Sequence, residues 1–387
     1  MEHPLFQRLR HITQLGLSSY VYPGAVHSRF HHALGAMHLM QRAIHTLKSK
    51  GVDITDEEHL AVSIAILLHD VGHGPFSHAL EYAMVENVHH EEISVLMMER
   101  LNEEFDGQLS MAIEIFKGTY SKGFLHQLVS SQLDMDRLDY LSRDSFFTGV
   151  HEGVIGYDRI IKMLNVQNDE LVVEAKGVYS IEKFLISRRL MYWQVYLHHT
   201  VLVAEILLVK ILKRAKELIA KGDELYASPA LNFFLKNEVN LTDFKNERNI
   251  LNTYAQLDDH DLFSAFKVWM EHKDLVLSEL CKGVVRRKML KIRLQAQPFN
   301  EVLITKLVAK TSEQFGISIH EAQYFTFADS TSNRAYIPDS EHIKILFKDG
   351  ELVDITEASD HLNIQQLSTP VVKYYLCYPK ELEALID

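Results

Sequence analysis

A chain of 387 residues, 47% hydrophobic and 24% charged, can bury one large core and a smaller one, which excludes disorder or a collagen-like repeat as a whole-chain description. Its formal net charge of −12 argues against a general grip on nucleic acid or an anionic membrane, since both rest on positive charge. Two cysteines, Cys281 and Cys377, are too few for a disulfide framework and fit a reducing, cytoplasmic compartment.

The first residues lack the charged-apolar-small order of a secretory signal. Apolar residues at helical spacing predict a helix over Phe30–Lys48 (Leu34, Met37, Met40, Ala43, Leu47). A second helix starts at Thr55, where Thr55 and Glu58 form a capping-box pattern, and runs to about Gly72. Gly74-Pro75 opens another, with proline at its favoured first position. Helices follow over His90–Asn102, Gln127–Arg143 and, with breaks, Ile181–Lys221. The most apolar run, Val201–Leu212, carries Glu205 and Lys210 and falls short of the ~20 apolar residues of a membrane span, so it reads as a buried helix. A polar stretch at about 222–261 reads as an insert of short helices. Beyond about Lys288 the pattern changes to a helix over Phe299–Phe315 and strands at Gln323–Phe327, His342–Phe347, Glu351–Ile355 and Val371–Tyr378, with Asp349-Gly350 as a hairpin turn. The expected architecture is mainly α: a helical domain over 1–285 and a smaller C-terminal α/β domain over 286–387.

Twenty-two histidines are the unusual feature of the composition, because imidazole both titrates near neutrality and binds borderline metals. In Leu67–His78 an apolar helix is interrupted by His69-Asp70, then by Gly72, His73, Gly74, Pro75 and His78. An ionised carboxylate at the end of such a helix is costly unless paired or bound to a cation, and the helix C-terminus itself favours positive charge. Alone, His69-Asp70 reads sooner as a buried hydrogen-bonded pair followed by a turn. Three further segments alter that balance: Ser28–Gly35 with His31 and His32, His89-His90-Glu91-Glu92, and Asp134–Asp144, where Asp136, Tyr140 and Asp144 share a helix face beside Arg137 and Arg143.

The order His32, His69-Asp70, Asp136 resembles the signature of the HD-domain phosphohydrolases. The fuller set of segments is similar to the deoxynucleoside triphosphate triphosphohydrolase branch: Phe6–Arg10, Gln14–Gly16, Tyr22–Ala25, Arg29–Gly35, His69–His78, His90-Glu91 and Asp136–Asp144. They run in the same order over roughly the first 160 residues. The resemblance implies an HD-type helical bundle with His32, His69, Asp70 and Asp136 as metal ligands. His73, His78 and His90 would then contact phosphate or move protons, with Glu91 beside the last. Gln14 and Leu15 would line the sugar and base pocket; Arg29, Arg137, Tyr140 and Asp144 would contact phosphates and sugar, and Tyr196 would pack against the sugar. Two departures from the branch's vertebrate member stand out: Glu81 where it has a shorter carboxylate, and Arg137 where it has lysine, arginine being the better bidentate phosphate partner. The family also carries a segment before the Phe-Gln-Arg-Leu-Arg motif, which here begins at Phe6, implying absence or trimming.

Two imidazoles and two carboxylates suit Mn, Fe, Ni, Zn or Mg without choosing among them. The resemblance further implies a dNTP substrate cut at the α-phosphorus to deoxynucleoside and triphosphate, and a homo-oligomer, dimer or tetramer. Arg287 and Lys291, in the basic run Cys281–Arg293, are similar to a phosphate-binding pair of a regulatory nucleotide site completed by Arg10 of another subunit. From its residues alone the run reads sooner as a solvated basic helix or strand. The competing expectations are an HD hydrolase or phosphodiesterase acting on another nucleotide, and a nucleotide-binding regulator without turnover.

Overall fold

Helices dominate the computed structural model, which describes residues 1–76, 83–85, 88–333, 336, 342–359 and 370–386. The helix expected after Gly74-Pro75 lies outside the described residues. Helix α1 (Arg29–Ser49) buries Ala33, Ala36, Met40, Ala43, Ile44 and Leu47, the three-and-four spacing of one helix face. α2 (Asp56–Leu68) begins at the Thr55/Glu58 box: Glu58 N–H donates to Thr55 Oγ1 at 3.1 Å and Thr55 N–H to Glu58 Oε2 at 2.8 Å. α3 (His90–Glu104) starts at a second box, His89 with Glu92.

The single helix expected over Gln127–Arg143 is two. A short helix ends at Val129, and α4 (Met135–Thr148) begins behind Asp134, whose carboxylate accepts the Ser131 and Arg137 N–H groups at 2.8 and 2.7 Å. Side-chain capping is worth about 1 kcal/mol and here decides where the helix starts. α5 (Val178–Met191) passes through a π turn at Tyr192–Tyr196 before α6 (His199–Ala220), and that turn is the break in the Ile181–Lys221 run. The polar stretch folds as short helices at Pro229–Lys236, Leu241–Asn246 and Arg248–Tyr254. α7 (Asp259–Trp269) and α8 (Leu275–Val285) follow, and α9 (Glu301–Phe315) lies in the C-terminal part.

Seven described strands form two sheets. β1 (Leu164–Gln167) and β2 (Glu170–Glu174) are a hairpin whose turn residues, Asn168 and Asp169, both have positive φ, 54° and 62°. β5 (Lys344–Leu346) pairs parallel to β2, and β6 (Leu352–Asp354) completes the order β1-β2-β5-β6. Residues 344–354 thus join the sheet that begins after α4. β3 (Lys291–Gln295), β4 (Phe327–Asn333) and β7 (Val371–Tyr378) make the second sheet, β3-β7-β4, antiparallel throughout. The strand expected over Gln323–Phe327 begins only at its last residue. Ser318 and Glu321 cap a helical turn at Ile319–Ala322 that occupies the chain just before it.

Two large apolar cores meet along α1 and α2. Phe30, Ala33, Leu68 and Val71 belong to one; Ala36, Met40, Val62, Ala65 and Ile66 to the other. His32 and His69 sit at that seam, fully or almost fully buried. Among the described residues, no single helix is long and apolar enough to cross a membrane; the bent pair Ala175–Tyr196 and His199–Ala220 is so only taken together.

Candidate metal centre and substrate cleft

The first turns of α1 and α4 meet the end of α2, bringing side chains 37 to 104 positions apart to one point. His32 Nε2 lies 3.3 Å from His69 Nε2 and 3.0 Å from Asp136 Oδ1, and His69 Nε2 lies 3.5 Å from the same carboxylate oxygen. Asp70 Oδ1 lies 3.4 Å from His69 Nε2.

The far side of each ring fixes its tautomer. His32 Nδ1 is 2.8 Å from Asp139 Oδ2, and His69 Nδ1 is 2.6 Å from the Ile66 carbonyl. A carboxylate and a carbonyl only accept, so both Nδ1 atoms carry hydrogen and both Nε2 atoms face inward. Acceptors behind ligating imidazoles are what orient a metal site. Burial works against charge on His32, yet hydrogen bonds to Asp136 and Asp139 push it up to about 10. Burial likewise opposes charge on His69, but Asp70 and Asp136 outweigh burial and raise its pKa. Despite burial, His32 and His69 hold Asp136 below the usual carboxylate range, and His69, His73 and Arg29 do the same for Asp70. The carboxylates thus demand positive charge at this point, which protons on the two imidazole Nε2 atoms supply or a cation in their place would supply. This oxygen and nitrogen donor set fits a divalent metal held by His32, His69 and Asp136, and Asp70, beside His69, also gathers with His73 and His90 into an adjoining group of donors.

Arginines compensate the neighbouring acids. Arg29 Nη1 donates to Asp70 Oδ2 at 2.5 Å, Arg143 grips both oxygens of Asp139 at 2.8 Å, and Arg137 pairs with Asp134 at 3.3 Å. Glycine makes the second pair possible: a Cβ on Gly35 would stand 2.0 Å from Arg143 Nη2 and from Asp139 Oδ1. The His73 turn is clamped from behind. Arg8 donates to the carbonyls of Val71 and His73 at 2.9 and 2.8 Å, and Tyr254 donates to that of Gly72 at 3.1 Å. A Cβ on Gly72 would meet His90 O and Ser94 N at 2.3 Å, so only glycine lets the turn lie against the start of α3. That approach stacks His73 on His90, centroids 3.7 Å apart. Burial and nearby Arg29 push His73 well below the usual histidine range.

Beside the centre opens a cleft of about 530 Å³, within the range of nucleotide-sized pockets. Asp70, Asp136, His73 and His90 line it, as do Gln14, Leu15, Arg29, Arg137, Tyr140, Asp144 and Tyr196. Asp144 accepts from Tyr196 Oη at 2.8 Å and lies 2.7 Å from His27 Nε2, which fixes the tyrosine along the wall. Burial lifts the phenols of Tyr140 and Tyr196. Gln14 Oε1 is buried with no hydrogen-bond partner among the described residues. Glu91 stands at the rim, its side chain 66% exposed and 3.8 Å from His90. His78 and Glu81 lie outside the described residues. Arg10, Arg287 and Lys291 do not line the cleft: Arg10 covers the Phe30 ring, Arg287 donates to Tyr20 O, and Lys291 faces Glu383.

Sequence reasoning missed several residues that hold the site. Asp139 stands three positions after Asp136 in the same motif, a spacing that marks one helix face. Asp259 accepts Thr13 N–H, Thr13 Oγ1–H and Phe76 N–H at 2.8, 2.7 and 3.0 Å, tying together two segments of the cleft wall from 246 and 183 residues away. No local signal announces that.

The model of the HD domain matches residues 29–144, and that of the HD associated region matches residues 155–284. A crystal structure described as a phosphohydrolase from Bacteroides thetaiotaomicron is 57% identical, superposes with a TM-score of 0.94, and is covered over 94% of its length by 98% of this chain. The uncharacterized protein YwfO of Bacillus subtilis is 31% identical over 97% of this chain and 87% of its own length. A Dictyostelium discoideum protein named a deoxynucleoside triphosphate triphosphohydrolase SAMHD1 homolog is 31% identical, over 57% of this chain and 46% of its own.

Proposed function

Because this chain belongs to the HD-domain phosphohydrolases, we propose that it is a metal-dependent nucleotide hydrolase that cuts dNTPs into deoxynucleoside and inorganic triphosphate. The observation that carries this reading is the composition of the cleft: a cluster of histidine and aspartate fit for a metal at one wall, arginines beside it, and beyond them tyrosines and an amide acceptor unpartnered among the described residues.

A divalent cation on His32, His69, Asp70 and Asp136 would lower the pKa of water and draw charge from a phosphoryl group. Arg29 and Arg137 carry the cleft's fixed positive charge and neutralise a polyphosphate tail, with charge-assisted hydrogen bonds roughly twice as strong as neutral ones. His90, stacked on His73 and open to the cleft, is placed to deliver a proton to the leaving oxygen, a role worth typically ~10²–10⁴-fold. Leaving Gln14 Oε1 without a donor costs about 1–3 kcal/mol, and a sugar hydroxyl supplies one. Tyr196, held on Asp144, gives the sugar a flat wall. The likeness to proteins named dNTP triphosphohydrolases supports the choice of substrate.

We extend the reading to a homo-oligomer in which surface residues Arg10, Arg287 and Lys291 bind a second, activating nucleotide. Turnover of one dNTP that rises on adding another supports it; hyperbolic kinetics in every mixture refutes it. The main test follows the products by phosphorus NMR, using purified protein with each dNTP and NTP and a panel of metals. Intact tripolyphosphate from dNTPs supports the proposal, and pyrophosphate or orthophosphate as the first product overturns it.

A further inference from the structure

A second group of metal-binding side chains lies outside the cleft. His11, Asp258 and His260 each offer one ligand atom, and the three atoms lie within 4.8 Å of one another. His11 belongs to the turn that follows Arg8; Asp258 and His260 flank the start of α7, almost 250 residues later in the chain. The two imidazoles meet edge to face with centroids 5.7 Å apart, and His260 Nδ1 is 3.3 Å from Asp258 Oδ1. Asp258 Oδ1 also accepts the His260 N–H at 2.8 Å, so the carboxylate is held in place as the cap of α7 while keeping further lone pairs. His11 and His260 are exposed, which leaves room for water to complete a coordination sphere.

We propose that His11, Asp258 and His260 form a second site for a divalent transition metal, separate from the centre in the cleft. Two imidazoles and one carboxylate select zinc, nickel or copper over magnesium or calcium, which prefer all-oxygen sites. The site bridges two segments that also meet at Asp259, next to Asp258. That carboxylate holds the backbone of Thr13, which precedes Gln14, and of Phe76, which itself lines the cleft. A cation joining His11 to the start of α7 therefore braces the wall that carries Gln14. The site acts on substrate affinity by positioning and takes no part in the chemistry.

The test titrates chelator-treated full-length protein with Zn²⁺ by calorimetry, beside His11→Ala and His260→Ala. Both variants change exposed side chains and are checked for unaltered melting in chelator. Wild-type protein is expected to take up one equivalent more than either variant, and His69→Ala is expected to retain that equivalent. Saturating it should lower the KM of the wild type while kcat stays constant, and should leave the KM of His11→Ala unchanged. Equal stoichiometry in wild type and both variants overturns the proposal. Because stoichiometry needs no turnover, that result is independent of whether dNTPs are the substrate.

Discussion

Replacing Asp139 by Asn tests the reasoning about the centre without touching a ligand. The carboxylate receives His32 Nδ1–H at 2.8 Å, both buried, and two N–H groups of the half-buried Arg143 at 2.8 Å. Asparagine keeps the shape but removes the charge and one acceptor oxygen, so at least one of the three N–H donors loses its partner. A hydrogen bond to a charged group contributes about 1.5–3 kcal/mol, which is roughly 10- to 150-fold in an equilibrium. Groups behind a metal ligand commonly cost 10–100-fold in affinity, the same range. The variant should therefore bind metal about 10–100-fold more weakly, and lose kcat/KM at limiting metal by a similar factor. Excess metal should recover most of the loss, because no ligand has changed. Calorimetric titration gives the affinity, and a metal-dependent rate curve gives the recovery. Metal affinity within twofold of wild type would refute the claim that Asp139 orients His32.

Three further outcomes follow from the same geometry. Gly72→Ala puts a Cβ against two backbone atoms of α3 at 2.3 Å, and should destabilise by about 1–3 kcal/mol or more, read as a lower urea midpoint; an unchanged midpoint would contradict it. Asp259→Ala leaves two buried or half-buried N–H groups unpaired and should raise KM several-fold more than it lowers kcat, since it frees the Gln14 wall while the centre keeps its ligands. In metal-free protein the His32 pKa is raised from its ordinary 6.5 to about 10. Its stabilisation is then complete below pH 6.5 and lost as pH rises toward 10, so metal-free melting temperature should fall across that window while metal-loaded protein stays flatter. A metal-free curve that is level from pH 7 to 10 counts against this.

The centre was readable in the sequence because its chemistry is written in local runs: His69-Asp70 ends an apolar helix, Thr55 and Glu58 start one, and Asp136 opens another. Each rests on contacts within a few residues, where periodicity and capping rules hold. The failures share the opposite cause. Gln127–Arg143 read as one helix because apolar spacing continues across Asp134, whose capping bonds outweigh it. The β1–β2 hairpin escaped notice although Asn168-Asp169 is a turn pair. Its pairing with β5, more than 170 residues on, had no local trace. Arg8 and Asp259 hold the cleft through backbone groups far away in the chain, and a side chain that bonds to backbone leaves no partner residue to recognise.

The most direct test of the account counts bound metal and turnover together. Chelator-treated protein is reloaded stepwise, and dNTP hydrolysis is measured at each step for wild type and His69→Ala. Turnover should rise in proportion to the metal bound at the centre, and His69→Ala should bind none there and stay inactive at every loading. Hydrolysis by metal-free protein, or by His69→Ala at the wild-type rate, would contradict it.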